Sequence, residues 1–314
     1  MKLAAPTVPT FYFAGVTTGG SAARRVFPRW MEIIGRPEVA LQGVDFPLHD
    51  DPAHYRAFVD FLRTEPLALG SLVTTHKVDL LAAARAQFAE LSPDAAALGE
   101  VSSIACRGGQ LFGHATDPSA GGLSLDAITG AGYFGATGAH LLCLGAGGAA
   151  AALLLHLLRK AEAADRPARC IVVNRSPERL AMLRRLVEQQ PGRLDCEFVL
   201  NADPHHNDAW LAALPPHSLV INATGLGKDR PGSPLTDAGR FPAQGVAWDL
   251  NYRGDLRFLQ QARTQPGGRG VRVEDGWRYF LLGWTQVISH VLDVAIDGAT
   301  FVEMAKAAEM LREA

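Results

Sequence analysis

The sequence has few features that would direct it to export, to a membrane or to nucleic acid. Its cysteines show no C-x-x-C spacing, which favours reduced thiols over a disulfide framework. They are Cys106, Cys143, Cys170 and Cys196. Glycine or charge interrupts every apolar run before it reaches membrane-spanning length, and the amino-terminal stretch lacks the apolar core of a signal peptide. A net charge of -2 gives no sign of the basic surface that binds nucleic acid. We therefore expect a cytoplasmic protein that binds neither nucleic acid nor a membrane.

The chain is long enough for two α/β domains. Its 314 residues exceed the usual size of one domain. Strand patterns alternate with helix patterns, and a hairpin is indicated at 103–115, so we expect a mainly parallel sheet with an antiparallel edge. The first domain is predicted to span residues 1–119 and to be completed by helices in 276–314. Residues 120–275 are predicted to form a Rossmann-type domain.

A glycine-rich turn lies between an apolar run, residues 141–144, and a stretch of helical length. Gly145, Gly147 and Ala150 fit the pattern G-x-G-x-x-G/A. In that pattern the first glycine permits the turn, the second admits a pyrophosphate, and the third position allows close packing. Together with Gly148 and Ala149, the turn predicts a dinucleotide at a helix N-terminus. The alternative is a plain structural turn.

An arginine follows the second strand of this unit. Dinucleotide sites that select NAD usually carry an acidic residue there, whereas Arg175 suits the 2′-phosphate of NADP. Asn174, Ser176 and Arg179 would complete this subsite. We therefore expect NADP in preference to NAD. The alternative for Arg175 is a solvated side chain at a helix start.

Small residues follow the fourth strand of the same unit. Asn222 and Thr224 lie in the stretch Asn-Ala-Thr-Gly-Leu-Gly, where the backbone could approach the nicotinamide ribose. By itself this stretch is more consistent with an ordinary turn. We nevertheless include both residues in the predicted cofactor site.

Lys77 and Asp117 end two segments of the first domain that we expect to face the nucleotide. Hydride transfer at a carbinol carbon requires a proton donor or acceptor at its oxygen. A Lys ammonium can donate to that oxygen, and a neighbouring carboxylate would hold the ammonium in its charged form. The alternative is a surface ion pair without a catalytic role.

Seven stretches, in the same order along the chain, resemble the motifs of the shikimate dehydrogenase family. They are residues 75–77, 99–104, 113–121, 145–150, 174–176, 222–224 and 249–252. The family counterparts are V-T-x-P-H-K, G-A-V-N-T-I, G-x-N-T-D-x-x-G, G-A-G-G-A-A, N-R-T, N-A-T and D-x-x-Y. The resemblance implies an NADP-dependent oxidoreductase that acts on a cyclic hydroxy or keto acid, with Lys77 and Asp117 as catalytic pair. It also implies a role in aromatic amino acid biosynthesis and a monomer or homodimer.

The resemblance assigns substrate binding to five residues: Ser21, Thr74, Ser102, Tyr252 and Gln286. Several family residues around the substrate are replaced. Ala23 and Arg24 stand where the family motif S-x-S-P has its second serine and its proline, and Ala115 and Ser102 replace two asparagines. Because a site that loses such groups loses discrimination for hydroxyls, we expect a substrate other than shikimate, or slow turnover of shikimate. Arg24 and Arg25 either bind the substrate carboxylate or are solvated.

Two further functions remain open from the sequence, and the roles of three histidines are also considered. One is a non-catalytic or regulatory protein that binds a nicotinamide nucleotide. The other is a Rossmann methyltransferase, although that would favour an acidic residue where Asn174 and Arg175 stand. His205 and His206 are predicted to lie in a polar loop and not to bind a metal. His76 either tunes the neighbouring Lys77 or packs within its loop.

Overall fold

The computed structural model describes residues 3–228 and 230–313. Met1 and Lys2 of the amino-terminal stretch therefore lie outside the described residues. Backbone contacts divide the chain into a first unit, Met1–Thr116 with Gly283–Ala314, and a second unit, Asp117–Leu282. The second division point lies within a helix, Trp277–Leu292, whereas the sequence placed the boundary just before it.

The first unit is built on a six-stranded sheet. Its strands are β1 (Thr10–Gly15), β2 (Ala40–Asp45), β3 (Ala68–Val73), β4 (Glu90–Leu91), β5 (Ser103–Arg107) and β6 (Gln110–His114). Its helices up to Thr116 are α1 (Ala23–Ile33), α2 (Pro52–Thr64), α3 (Lys77–Ala84) and α4 (Pro93–Leu98). The strand order is β2-β1-β3-β5-β6-β4, and only β5 runs antiparallel to its neighbours.

The prediction that an antiparallel strand forms the edge of this sheet was wrong. The hairpin β5–β6 is present, but β4 pairs with β6 and forms the edge of the sheet. Because β4 contains two residues, it shows no alternation that would identify it in the sequence. Strand β6 is consequently an interior strand of the sheet and not its edge.

The second unit contains a six-stranded, fully parallel sheet. Its strands are β7 (Leu141–Leu144), β8 (Cys170–Asn174), β9 (Cys196–Leu200), β10 (Leu219–Asn222), β11 (Val246–Asp249) and β12 (Arg272–Glu274). Its helices are α5 (Asp117–Thr129), α6 (Tyr133–Thr137), α7 (Gly148–Leu158), α8 (Pro177–Glu188), α9 (Pro204–Ala212), α10 (Arg257–Arg263) and the start of α11 (Trp277–Leu292). The order β9-β8-β7-β10-β11-β12 is that of a Rossmann-type domain. Between β7 and β10 the strand order reverses, which is where such sheets bind a dinucleotide.

The carboxyl-terminal segment packs into the first unit. Trp284 of α11 contacts the rings of Phe11, Phe13 and Trp30, at centroid distances of 6.1, 5.1 and 6.1 Å. The last helix, α12 (Gly298–Glu313), accepts a hydrogen bond at the Met304 carbonyl from the Trp30 indole, at 2.8 Å. This buried aromatic cluster explains why the end of the chain belongs to the first unit.

Two helices differ from the sequence-based expectation. Helix α9 replaces the predicted polar loop and contains His205 and His206. The Asp203 side chain accepts from the His205 amide, and Pro204 occupies the first turn, so the helix has a strong start. Helix α5 begins at Asp117, three residues before residue 120, where the sequence predicted the start of the second domain. Within residues 3–228 and 230–313, no helix combines the length and the apolar character needed to cross a bilayer.

Candidate functional site

The two glycines of the turn after β7 have different roles. Gly145 has a φ of +118°, and a Cβ added there would lie 2.5 Å from the Ala223 carbonyl oxygen. Gly145 is therefore required by the close packing of the turn against the segment after β10. A Cβ added to Gly147 would meet no atom within 4 Å. Among the described residues no side chain caps α7 at Gly147, so the first amides of that helix, at Gly148 and Ala149, keep their donors for an anionic group.

The start of α8 contains the predicted 2′-phosphate residues. Arg175 and Arg179 are exposed, and within the described part of the chain neither forms an ion pair. The Asn174 Nδ2 atom is buried without a hydrogen-bond partner among the described residues. Ser176 caps the helix: its hydroxyl accepts from the Arg179 amide at 3.3 Å and donates to Glu178 at 2.7 Å. Two cations and an unused amide donor fit a phosphate group.

A buried hydrogen-bond network holds the segment after β10. Asn222 donates to Asp249 at 3.0 Å, and its oxygen accepts from the amide and the hydroxyl of Thr224 at 3.1 and 2.7 Å. Thr224 in turn accepts from the Leu226 amide, and Asn251 donates to the Leu226 carbonyl. The side chains of Asn222 and Thr224 are thus engaged within the protein. Their structural role is to rigidify the segment.

Asp249 was not singled out as a site residue from the sequence. It is fully buried, its carboxylate accepts from Asn222 and from the Asn251 amide, and burial raises its pKa to about 6. The signal for it in the sequence is a carboxylate at the end of an otherwise apolar strand, within the D-x-x-Y stretch.

Lys77 is the first residue of α3, immediately after the turn that follows β3. This turn is tight: Thr74 donates its amide to the Ala14 carbonyl at 2.9 Å, and Thr75 has a φ of +47°. A non-glycine residue in the left-handed region stores strain that the surrounding packing has to support. The backbone that presents Lys77 is therefore held in one conformation.

His76 is a packed residue. It is 1% exposed, and its Nδ1 atom lies 2.9 Å from the Tyr55 hydroxyl. Its ring lies 5.7 Å from the Phe46 ring and 5.6 Å from the Tyr55 ring. Burial lowers the pKa of His76, which keeps the imidazole neutral at pH 7. The structure thus favours the packed-loop interpretation of this histidine.

The first unit joins the Lys77 turn to the residue that precedes Asp117. The Lys77 carbonyl accepts from the Val101 amide at 3.2 Å. The next residue, Ser102, accepts from the Thr116 amide at 2.7 Å and contacts the Thr116 hydroxyl at 2.9 Å. Ser102 is 3% exposed. Its hydroxyl therefore holds the Thr116 segment. Asp117, 8% exposed, follows at the start of α5.

The remaining predicted substrate residues have different surroundings. Ser21 accepts from the Ala23 amide at 3.3 Å and so supports the start of α1. The Thr74 hydroxyl donates to the Ala14 carbonyl at 3.3 Å. Tyr252 lies in an aromatic cluster of the second unit, 4.5 Å from the Phe280 ring. Gln286 is half-buried on α11.

The structure also shows the surroundings of the remaining candidates, which are Arg24, Arg25, His205 and His206. The Arg24 guanidinium approaches Gly43 of β2 and borders a surface cavity of about 430 Å³ lined by residues 5–8 and 40–43. Arg25 is exposed. Among the described residues, no cluster of three His, Cys, Asp or Glu side chains is suited to a metal ion, and His205 and His206 are exposed on α9.

The chain resembles known proteins over most of its length. It matches no protein-family model. It is 35% identical over 223 residues to "Shikimate dehydrogenase (NADP(+))" of Symbiobacterium thermophilum, covering 68% of this chain and 71% of that protein. A shikimate 5-dehydrogenase of Thermus thermophilus, solved with NADP(H) and shikimate, superposes with a TM-score of 0.68 and 24% identity, over 96% and 99% of the two chains. Quinate dehydrogenase of Corynebacterium glutamicum, solved with NAD, superposes with a TM-score of 0.74 and 18% identity. This match covers 96% of this chain and 99% of that one. At such identities the two structures establish a shared fold.

Proposed function

Because the chain belongs to the shikimate dehydrogenase family, we propose that it transfers hydride reversibly between NADP(H) and a cyclic hydroxy or keto acid of the shikimate type. The observation that carries this proposal is the start of α7, where a Cβ at Gly147 would enter open space beside uncapped amides. A pyrophosphate requires such an approach to the backbone.

The second unit would bind the cofactor. The amides of Gly148 and Ala149 would hold the pyrophosphate, and the backbone after Asn222 would face the nicotinamide ribose. Arg175 and Arg179 would bind the 2′-phosphate, which supports NADP over NAD. When bound, the nicotinamide ring supplies or accepts the hydride.

Lys77 and Asp117 would perform the proton chemistry. In the direction of reduction, the Lys77 ammonium donates its proton to the carbonyl oxygen of the substrate and stabilises the negative charge that develops there. The Asp117 carboxylate orients the ammonium and favours its charged form. In the direction of oxidation the same proton returns to Lys77.

The substrate is proposed to differ from shikimate, or shikimate to be turned over slowly. Ser21, Thr74, Tyr252 and Gln286 would contact it, whereas Ser102 would act by holding the Thr116 segment. Ala115 and Ala23 cannot supply the hydrogen bonds of the family residues that they replace. A substrate with fewer hydroxyl groups to be recognised would tolerate those losses.

The setting of the reaction is also part of the proposal. All four cysteines are free thiols, which suits the reducing cytoplasm. We place the enzyme there as a monomer or homodimer, in aromatic amino acid biosynthesis or in a reaction on a related cyclic acid.

A dehydrogenase assay tests the proposal. NADPH consumption is measured over a panel of cyclic keto acids, with shikimate, quinate and aminated analogues in the oxidative direction. Lys77→Ala should lower kcat by about 10²- to 10⁴-fold while the Kd for NADP⁺ is unchanged. Lys306→Ala, an exposed lysine on α12 of the same unit, is the matched control and should retain activity. Tight nucleotide binding without turnover of any acid would instead support the regulatory alternative.

A further inference from the structure

We propose that Glu178 narrows the preference of this protein for NADP over NAD, because its carboxylate takes the only hydroxyl proton of Ser176 and repels a 2′-phosphate. The inference depends on the nucleotide site proposed above. Glu178 belongs neither to the glycine turn nor to the arginines proposed to bind the 2′-phosphate.

The Ser176 side chain has one hydroxyl proton, and a hydrogen bond at the start of α8 already uses it. Its hydroxyl donates to the Glu178 carboxylate at 2.7 Å, while its oxygen accepts from the Arg179 amide at 3.3 Å. A phosphate oxygen can only accept, so it needs a donor from Ser176. As long as Glu178 holds the proton, Ser176 offers the phosphate no hydrogen bond.

The charge of Glu178 acts in the same direction. The side chain is fully exposed, and the hydrogen bond from Ser176 holds the pKa of this carboxyl below its usual range, so it is ionised at neutral pH. It lies three residues after Arg175 and immediately before Arg179, which are the two proposed phosphate ligands. A 2′-phosphate carries between about one and two negative charges, so a carboxylate beside it opposes the two arginines.

NAD responds to the same carboxylate differently. Its ribose carries a 2′-hydroxyl, which can donate to Glu178 as it does to the acidic residue of many NAD sites. Arg175 and Arg179 thus favour one cofactor, and Glu178 favours the other. A site with both features should bind NADP more tightly than NAD, but by a reduced margin.

Glu178 also has an ordinary structural role that must be separated from this one. A carboxylate in the first turn of a helix stabilises the helix through the macrodipole and supports the cap at Ser176. Loss of that role would lower the free energy of unfolding, but it would not change the ratio of the Kd for NAD⁺ to the Kd for NADP⁺. The ratio is therefore the informative quantity.

The experiment measures the Kd of NADP⁺ and NAD⁺ by titration calorimetry on the full chain, without substrate, at about 0.15 M salt. Glu178→Gln removes the charge and should raise the ratio of Kd for NAD⁺ to Kd for NADP⁺ by about 3- to 10-fold. Glu188→Gln makes the same charge change at the other end of α8 and should leave the ratio unchanged. Equal ratios in the wild type and Glu178→Gln would overturn the inference.

A second variant isolates the contribution of the hydroxyl. Glutamine at position 178 would still accept a hydrogen bond from Ser176, so this test uses Glu178→Met, which removes both the charge and the acceptor. In a Ser176→Ala background, Glu178→Met should change the ratio less than it does in the wild type, because only the charge repulsion is left to remove. An undiminished effect would overturn the hydrogen-bond part of the inference. If the wild-type protein binds neither nucleotide, the proposed function itself fails, and this outcome is distinct from an unchanged ratio.

Discussion

The Tyr55 hydroxyl lies 2.9 Å from the Nδ1 atom of His76, and both residues are 1% exposed. His76 immediately precedes Lys77 and occupies the capping position of α3. The neutral imidazole can accept at Nδ1 from the hydroxyl, and its ring is enclosed by the rings of Phe46 and Tyr55. The contact fixes the residue next to the proposed proton donor.

Removal of the Tyr55 hydroxyl should reveal this positioning role. In Tyr55→Phe the Nδ1 atom of His76 remains buried without its partner, so the free energy of unfolding should fall by about 1–2 kcal/mol. The kcat should also fall, because the turn before Lys77 is less firmly held, while the Kd for NADP⁺ should not change. Urea unfolding and steady-state kinetics measure these quantities.

Tyr12→Phe is the control for that variant. Tyr12 is fully buried in the same core, but its hydroxyl has no hydrogen-bond partner among the described residues. Its removal should leave stability unchanged or slightly higher, with no change in kcat. Equal effects of the two substitutions would argue against a special role for the Tyr55–His76 contact.

The two glycines of the turn after β7 should respond to alanine in opposite ways. Gly145→Ala places a Cβ 2.5 Å from the Ala223 carbonyl oxygen at a φ of +118°, so the free energy of unfolding should fall by at least about 2 kcal/mol. Gly147→Ala should change it by less than about 0.5 kcal/mol, because the added Cβ meets nothing. The same Cβ should weaken NADP⁺ binding. Unchanged affinity in Gly147→Ala would place the pyrophosphate elsewhere.

Arg175→Ala should distinguish the two nicotinamide cofactors. The guanidinium would form charge-assisted hydrogen bonds with the 2′-phosphate, which NAD lacks, so the Kd for NADP⁺ should rise by about 10- to 100-fold. The Kd for NAD⁺ should change little, and Arg185→Ala, an exposed arginine of the same helix, should affect neither. Calorimetric titration measures all of these affinities. Equal weakening of both cofactors would rule out the 2′-phosphate assignment of Arg175.

Asp249 should make stability depend on pH in a defined window. Its folded pKa of about 6 lies above the value of about 3.9 in an unfolded chain, so the folded state binds more protons between those values. The contribution of this carboxyl to the free energy of unfolding is therefore fully present only below about pH 4. It should decline by about 2–3 kcal/mol as the pH rises to about 6, and stay level above.

Asp249→Asn provides the comparison, because an amide does not titrate. The variant should be less stable overall, since one of the two donors that face Asp249 loses its acceptor. The difference in unfolding free energy between wild type and variant, followed by urea unfolding across this pH range, isolates the carboxyl from the histidines that also titrate. Parallel curves would contradict the buried, raised pKa.

Local signals in the sequence were sufficient for much of the fold. Strands such as β7 and β10 were predicted because each is a short apolar run that ends at a glycine or a polar residue, and such signals depend only on neighbouring residues. Helix α9 was missed although Asp203 and Pro204 form a good helix start, because its apolar residues are too few to give a clear helical spacing. The edge strand β4 was missed because two residues carry no periodicity.

Local sequence patterns were enough to identify the glycine turn, the arginines after β8, the position of Lys77 after a buried strand, and the order of the motifs. The roles of Ser102, Asn222 and Asp249 were decided only by the tertiary structure. Thr116 lies 14 residues from Ser102, and Asp249 lies 27 residues from Asn222, yet each pair is hydrogen-bonded. Such partners meet only when the segments around β5 and β6, and the strands β10 and β11, lie side by side. Whether a polar side chain bonds within the protein or is available to a ligand therefore depends on which distant segments pair. A local sequence pattern does not show that pairing.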